Sequence, residues 1–150
     1  MKVFSGDILD RNFPVENVLN KSNIETLNNF WLGPEKKPAS FILDLGCDKR
    51  VNKVELVNTH NSHKKDRSTK GFKVHVSRHE KGPWTEVLHK TLEDSRNQND
   101  PLPLMKFSFN GRTARYIKFE MVSFYGNGGG LQYFSVHYSG IFCYFHFNDF

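Results

Sequence analysis

The side chains that could carry chemistry in this 150-residue sequence are dispersed, and their spacing argues against most catalytic constellations. Of seven histidines, the closest pairs are His60-x-x-His63 and His75-x-x-x-His79. Neither pair lies on a helical stretch with a glutamate between its members, the pattern that holds zinc and a general base on one face. No Gly-x-Ser-x-Gly elbow occurs, and Cys47 and Cys143 lack Cys-x-x-Cys spacing, so acyl-transfer, thiolate-zinc and thioredoxin-type chemistry lose their usual signatures. The cysteines read as two unpaired thiols, with a bridge between them left open by their spacing. Asp44, Glu55 and Glu120 alternate with apolar residues, the position of a solvated strand residue rather than of a paired acid and base. Gly126-Asn127-Gly128-Gly129-Gly130 is followed by a strand pattern, whereas a phosphate loop needs a helix amino terminus after it. The expectation is a protein that is not an enzyme.

One segment has a binding repertoire. His60-Asn61-Ser62-His63-Lys64-Lys65-Asp66-Arg67-Ser68-Thr69-Lys70 carries four cations against one carboxylate, a local charge of +3. Asparagine both donates and accepts hydrogen bonds, and a guanidinium can fork across adjacent oxygens, which suits a polyhydroxylated ligand. The glycine run after Phe124-Tyr125 supplies the freedom for a tight turn that either presents these two aromatics or buries them. The basic excess shows neither an aromatic ribonucleoprotein motif nor a basic helix, so no nucleic-acid partner is expected.

The elements that must position these residues follow a period of two. Phe41, Leu43 and Leu45 alternate with Ile42 and Asp44 before a turn at Gly46-Cys47-Asp48, and Val54 to Val57 forms a second strand. Phe72, Val74 and Val76 form a third. Trp84 to Leu88, Met105 to Phe109, Arg115 to Met121 and Leu131 to Tyr138 complete the series, with a hairpin expected at Asn110-Gly111. Helical signals are confined to Pro14–Leu19 and Leu88–Arg96, and Asn97 to Pro103 reads as a surface loop. With 37% hydrophobic residues, 14% aromatics and a net charge of +5, the chain suits a single domain with one aromatic core, to which Trp31 and Trp84 are assigned. No apolar run approaches the roughly 20 residues of a membrane-spanning helix, and acidic residues interrupt the amino terminus before a secretion signal could form. The compartment stays open.

The order of these motifs is itself informative. Phe30-Trp31, Phe41-Ile42-Leu43-Asp44-Leu45-Gly46, Val51-Asn52-Lys53-Val54-Glu55-Leu56, Thr69-Lys70-Gly71-Phe72-Lys73-Val74-His75-Val76-Ser77, Gly82-Pro83-Trp84-Thr85-Glu86-Val87, Ala114-Arg115-Tyr116-Ile117-Lys118-Phe119 and Gly130-Leu131-Gln132-Tyr133-Phe134-Ser135-Val136 together resemble the discoidin domain, also called the coagulation factor 5/8 type C domain. The resemblance covers about residues 10 to 140. It implies an all-β, galactose-binding-like jelly-roll sandwich of two antiparallel sheets over residues 1–140, with residues 141–150 an apolar tail of unknown role. It also implies a non-catalytic recognition module whose ligand is held by loops at one end: carbohydrate first, with anionic phospholipid or a protein partner as alternatives. The three long connections Asn20–Lys37, Asn58–Lys70 and Ser123–Gly130 are where a site is expected, and by position the first loop up to Trp31 forms the rim with the other two. His60, Asn61, His63 and Arg67 are the polar candidates, and Phe124 and Tyr125 the stacking platform.

No cofactor is required by this reading. The family's structural calcium draws on an aspartate-rich turn before the tryptophan and a glutamate in the last strand. Here the turn reads Leu19-Asn20-Lys21-Ser22-Asn23-Ile24-Glu25-Thr26 and Tyr133 stands near the glutamate position, so the acidic ligands are incomplete. Animal members also join their two ends through cysteines, and this chain has none near its start.

Overall fold

A computed structural model describes residues 1–22, 24 and 29–141. Its strands are β1 (Lys2–Gly6), β2 (Trp31–Leu32), β3 (Ala39–Asn58), β4 (Arg67–Thr69), β5 (Gly71–Ser77), β6 (Thr85–Thr91), β7 (Leu104–Met121), β8 (Phe124–Gly126) and β9 (Gly130–Ile141). Short 3-10 turns cover Val15–Leu19 and Ser62–Lys64. All pairings are antiparallel. Among the described residues no helix is long and apolar enough to cross a membrane.

Two long strands build both layers. The first half of β3 lies between β1 and the second half of β7, which continues to β5 and β6. Register breaks between Asp44 and Lys49 and between Val51 and Lys53 then bend β3, and its second half pairs with β9 and the first half of β7. Bulges have this effect because an extra residue on one strand locally increases bend and twist. Phe41, Phe72 and Phe119 from the first layer meet Trp31, Phe107 and Phe134 from the second, with ring centroids 5.0 to 6.1 Å apart. The alternation expected of these strands is the alternation of burial: Phe41, Leu43, Phe72, Val74 and Phe119 are buried in one core.

Several local expectations need correcting. The two strands expected on either side of Gly46-Cys47-Asp48 are one strand, β3, and the turn is a bulge in which Gly46 takes φ 90°. Asn110-Gly111 is no hairpin turn either. β7 runs through it because β3 lies alongside both halves and binds their backbone groups, and Gly111 instead makes room for the Arg50 side chain. The segment from Leu88 continues as strand to Thr91, where pairing with β5 overrides its helical pattern. Trp31 is fully buried, but Trp84 is only half-buried, outside the core, with Lys118 Nζ 5.9 Å from its ring centre. Cys47 is disulfide-bonded rather than a free thiol, and Cys143 lies outside the described residues. So does most of the tail, although β9 reaches Ile141, opposite Lys49.

An ion pair braces the bend in β3. Arg115 Nε and Nη2 donate to Asp44 Oδ1 and Oδ2 at 2.9 and 3.1 Å, a two-pronged contact. These bonds hold the Asp44 carboxyl below its usual range against the opposing effect of burial, helped by the Gly46 amide. A carboxyl with a depressed folded pKa adds stability that is complete above its unfolded value, near pH 4, and is lost as pH falls through the lower folded value. Arg115→Gln is therefore expected to cost about 1 kcal/mol at neutral pH, a modest figure because Arg115 is 41% exposed and screened. In urea melts, its difference from wild type should hold steady between pH 7 and 5 and shrink below about pH 4; a pH-independent difference would contradict this assignment.

Candidate functional site

The loop end of the sandwich is organised by a buried hydrogen-bond network. Among the described residues, eight of the eleven buried polar or charged side chains belong to it: Asn58, Thr59, His60, Asn61, Arg67, Ser68, Thr69 and Ser95. Buried polar groups must be paired, so their concentration at one end of the sandwich marks where hydrogen bonding rather than apolar area sets the local structure. Asn58 is the hub. Its Nδ2 donates to Ser68 Oγ at 3.2 Å and to Thr69 O at 3.0 Å, and its Oδ1 accepts from the amides of Thr59 at 2.8 Å and Thr69 at 3.1 Å.

The three long connections meet here. Lys36 N donates to Asn127 O at 2.7 Å, Asn127 N to Asp66 O at 2.8 Å, and Ser68 N to Gly128 O at 3.1 Å. Thr69 Oγ1 donates to Gly130 O at 2.6 Å. The glycines permit this closeness: Gly126 has φ 73° and a Cβ there would collide with Asp66 O, while a Cβ on Gly128, at φ 150°, would lie 2.8 Å from Arg67 Nη1. In the first segment, residues 23 and 25–28 lie outside the described set. Between Asn58 and Arg67 the backbone is strained, since Asn61, Ser62 and Lys65 all take positive φ, at 63°, 56° and 50°. Asparagine tolerates that region, whereas serine and lysine are held there by their surroundings.

The candidate side chains occupy distinct positions. Arg67 is 4% exposed, and its Nη1 donates to Gly33 O at 2.8 Å, its hydrogen-bond acceptor among the described residues. Burial lowers its pKa, opposed by the charges of Asp66 and Glu35. Asn61 Nδ2 donates to Asp66 Oδ1 at 2.9 Å. His60 is buried, with Nε2 2.8 Å from Asp100 Oδ1 and Nδ1 enclosed without a partner. His63 stands exposed on the 3-10 turn.

Phe124 and Tyr125 do not form one platform. Successive strand residues point to opposite faces. In the β4–β8 ribbon Phe124 sits across from Thr69 and Tyr125 across from Ser68. Phe124 is half-buried and packs against the main core. Tyr125 turns the other way, where its hydroxyl donates to Leu92 O at 3.0 Å and its ring lies 5.3 Å from Lys70 Nζ and 6.0 Å from Arg96 Cζ. Arg67 pairs with Gly126 in the same ribbon, on the Phe124 face.

A fourth segment joins the site, one that sequence reading divides between a helical signal up to Arg96 and a surface loop from Asn97. Ser95 Oγ donates to Thr59 O at 2.7 Å and lies 2.8 Å from Ser68 Oγ, Leu92 receives Tyr125, and Asp100 meets His60. A serine and an aspartate in a polar, proline-flanked stretch carry no periodic signal, so only the fold reveals their partners. Among the described residues no group of three or more acidic, histidine or cysteine side chains converges and Asn20 Oδ1 accepts from Ser22, while residues 23 and 25–28 of the turn expected to hold a structural calcium lie outside the described residues.

The F5/8 type C domain model matches residues 5–135. The chain belongs to that family. As an F5/8 type C domain it resembles CBM32-3 from a family 31 glycoside hydrolase of Clostridium perfringens, with TM-score 0.71, 18% identity, and coverage of 92% of this chain and 90% of that one. The CBM32 of AlyQ, solved with 4,5-unsaturated mannuronic acid, gives TM-score 0.64, 24% identity, and coverage of 90% and 93%. The family 32 CBM of Clostridium perfringens NanJ, solved with galactose, gives TM-score 0.68, 15% identity, and coverage of 88% and 90%. These likenesses establish the jelly-roll fold. No curated protein matches the sequence.

Proposed function

We propose that this F5/8 type C domain is a non-catalytic carbohydrate-recognition module that holds galactose-type or related sugars at its loop end. The observation that carries the reading is the state of Arg67. It is a guanidinium fixed by one bond to Gly33 O and almost fully enclosed by the converging loops, with its other donors unused by the described residues. Five donors in a rigid fork are more than one carbonyl consumes, and vicinal sugar hydroxyls supply acceptors at the matching spacing. Asn61 and His63 add polar groups on the same loop. His60, held by Asp100 and screened from solvent, acts as a positioning residue that sets the course of the backbone beneath them.

Tyr125 supplies an aromatic edge on the other face of the ribbon, flanked by Lys70 and Arg96. The galactose and unsaturated mannuronic acid in the two related modules are neutral and acidic examples of the class, and the cations around Tyr125 suit the acidic one. The same observations weigh against a lipid-inserting pair of spikes, because Phe124 leans on the core. A single shallow site binds weakly, so useful retention comes from several modules or several sugar ends acting together.

A glycan array run beside neutral and anionic liposomes tests this reading. Sugar signals are expected, with Arg67→Gln weakening them about tenfold or more while thermal melting shows a folded domain. Binding to liposomes alone, or sugar binding indifferent to Arg67→Gln, would refute it.

A further inference from the structure

A second polar site lies at the opposite end of the sandwich. β5 begins at Gly71, whose amide donates to Ser123 Oγ beside the loop site. It ends at Ser77, and seven residues at about 3.3 Å each separate the two ends by roughly 20 Å. Beyond Ser77, β7 goes on with β3 alone beside it, Thr113 opposite Arg50 and Arg112 opposite Val51. Where the strands part they enclose a cavity of about 430 Å³ walled by Val76, Ser77, Arg78, His79, Thr85 and Arg112 among others.

The charges around this cavity are unbalanced. Arg78 is held in place by Asp48, whose Oδ2 receives Nε at 3.1 Å and Nη2 at 2.7 Å, and this leaves Nη1 free for a ligand. Arg112 is exposed and has no acidic partner among the described residues. Of the neighbouring carboxylates, Asp48 is engaged by Arg78, Asp44 by Arg115 and Glu86 by Lys73, while Glu80 stands exposed in the turn after β5. The wall itself is braced: Ser77 Oγ donates to His79 O at 2.6 Å and accepts from His79 N at 3.0 Å, which keeps the turn after β5 in one shape.

We propose that this cavity is a second, independent binding site, for a sulfate or phosphate ester group of a polyanion. Guanidinium forks recognise tetrahedral oxyanions through paired hydrogen bonds, and Arg78 in the turn after β5 and Arg112 on β7 border one recess. The hydroxyls of Thr85 and Thr113 offer neutral donors beside them, and the net charge of +5 draws polyanions toward the domain from a distance. The site shares no residue with the loop end. One domain can thus hold a sugar at one pole and an acidic polymer at the other.

The test is a titration of the isotopically labelled domain, followed by NMR at low salt, with sucrose octasulfate and separately with inositol hexakisphosphate. Saturable shifts are expected at amides 77–79 and 112–113. Arg112→Gln, an exposed change that leaves the core alone, should raise the dissociation constant about tenfold, Arg112→Lys less, and Arg67→Gln hardly at all. The tighter of the two probes identifies the ester. Absence of saturable shifts with both probes, an unchanged constant in Arg112→Gln, or equal weakening by Arg67→Gln would overturn the proposal.

Discussion

Phe119→Ala is expected to remove about 3–5 kcal/mol of folding stability, the cost of deleting a fully buried ring whose neighbours cannot close the gap. Phe119 stands at the meeting point of both layers, stacked on Phe41 at 5.3 Å and on Phe72 at 5.4 Å, with Trp31 and Phe134 edge-on at 6.1 and 5.5 Å. Four rings from four strands lose a partner at once, and each belongs to a strand held in place by its own ladder. Collapse into the void would require β3, β5 and β9 to shift register together. A domain of this size has about 5–15 kcal/mol in total, so the variant should melt at a far lower temperature or fail to accumulate. Phe119→Leu keeps most of the volume and should cost roughly half as much. Urea unfolding with an unchanged slope is the measurement. A midpoint shift corresponding to less than about 1 kcal/mol in the alanine variant would show that the aromatic cluster is not the mechanical centre described here.

The second large effect concerns the loop end. Asn58→Ala should cost about 2–4 kcal/mol, because it strands the buried amides of Thr59 and Thr69 and the carbonyl of Thr69 rather than removing a contact in solvent. Asn58→Asp keeps the two acceptor bonds but loses both donated ones and introduces a buried charge, so it should rescue little. The signature separates this variant from a core variant. Amide exchange should accelerate in residues 59–69 and 127–130 before the global transition, and sugar binding should fall in parallel, since Arg67 is carried by the same ribbon. Ser62→Ala, in the same loop but outside the network, serves as the control and should stay within about 0.5 kcal/mol of wild type. Uniform exchange in Asn58→Ala would mean that the network does not set loop order.

Both effects follow from residues of different legibility. Phe119 is visible in the amino-acid order, since Arg115 to Met121 alternates and the inward set is apolar. Asn58 is not: it is one of several asparagines near a strand end, and nothing local distinguishes a hub from a solvated cap. Arg67 lies between these cases. Its loop stands out by charge and by its mixture of hydrogen-bonding types, but a guanidinium enclosed and tied to Gly33 O depends on a loop brought in from elsewhere in the chain. The basic groups at the opposite pole are individually ordinary as well. Arg78 and Arg112 become a pair only because β7 outruns β5.

By itself the sequence determined which residues face inward along each long strand, the absence of recognisable catalytic spacing, and the family order of motifs, because side-chain alternation is a property of extended backbone and is set locally. Tertiary structure decided the rest. The unbroken run of β7 through Asn110-Gly111 comes from the strand beside it, and the opposed faces of Phe124 and Tyr125 come from pairing with β4. The place of Ser95 and Asp100 in the loop site comes from hydrogen bonds to residues far away in the chain. Local alternation leaves open which partner strand lies alongside and in what register, and only the long-range ladder, whose bonds must be satisfied somewhere, resolves that choice.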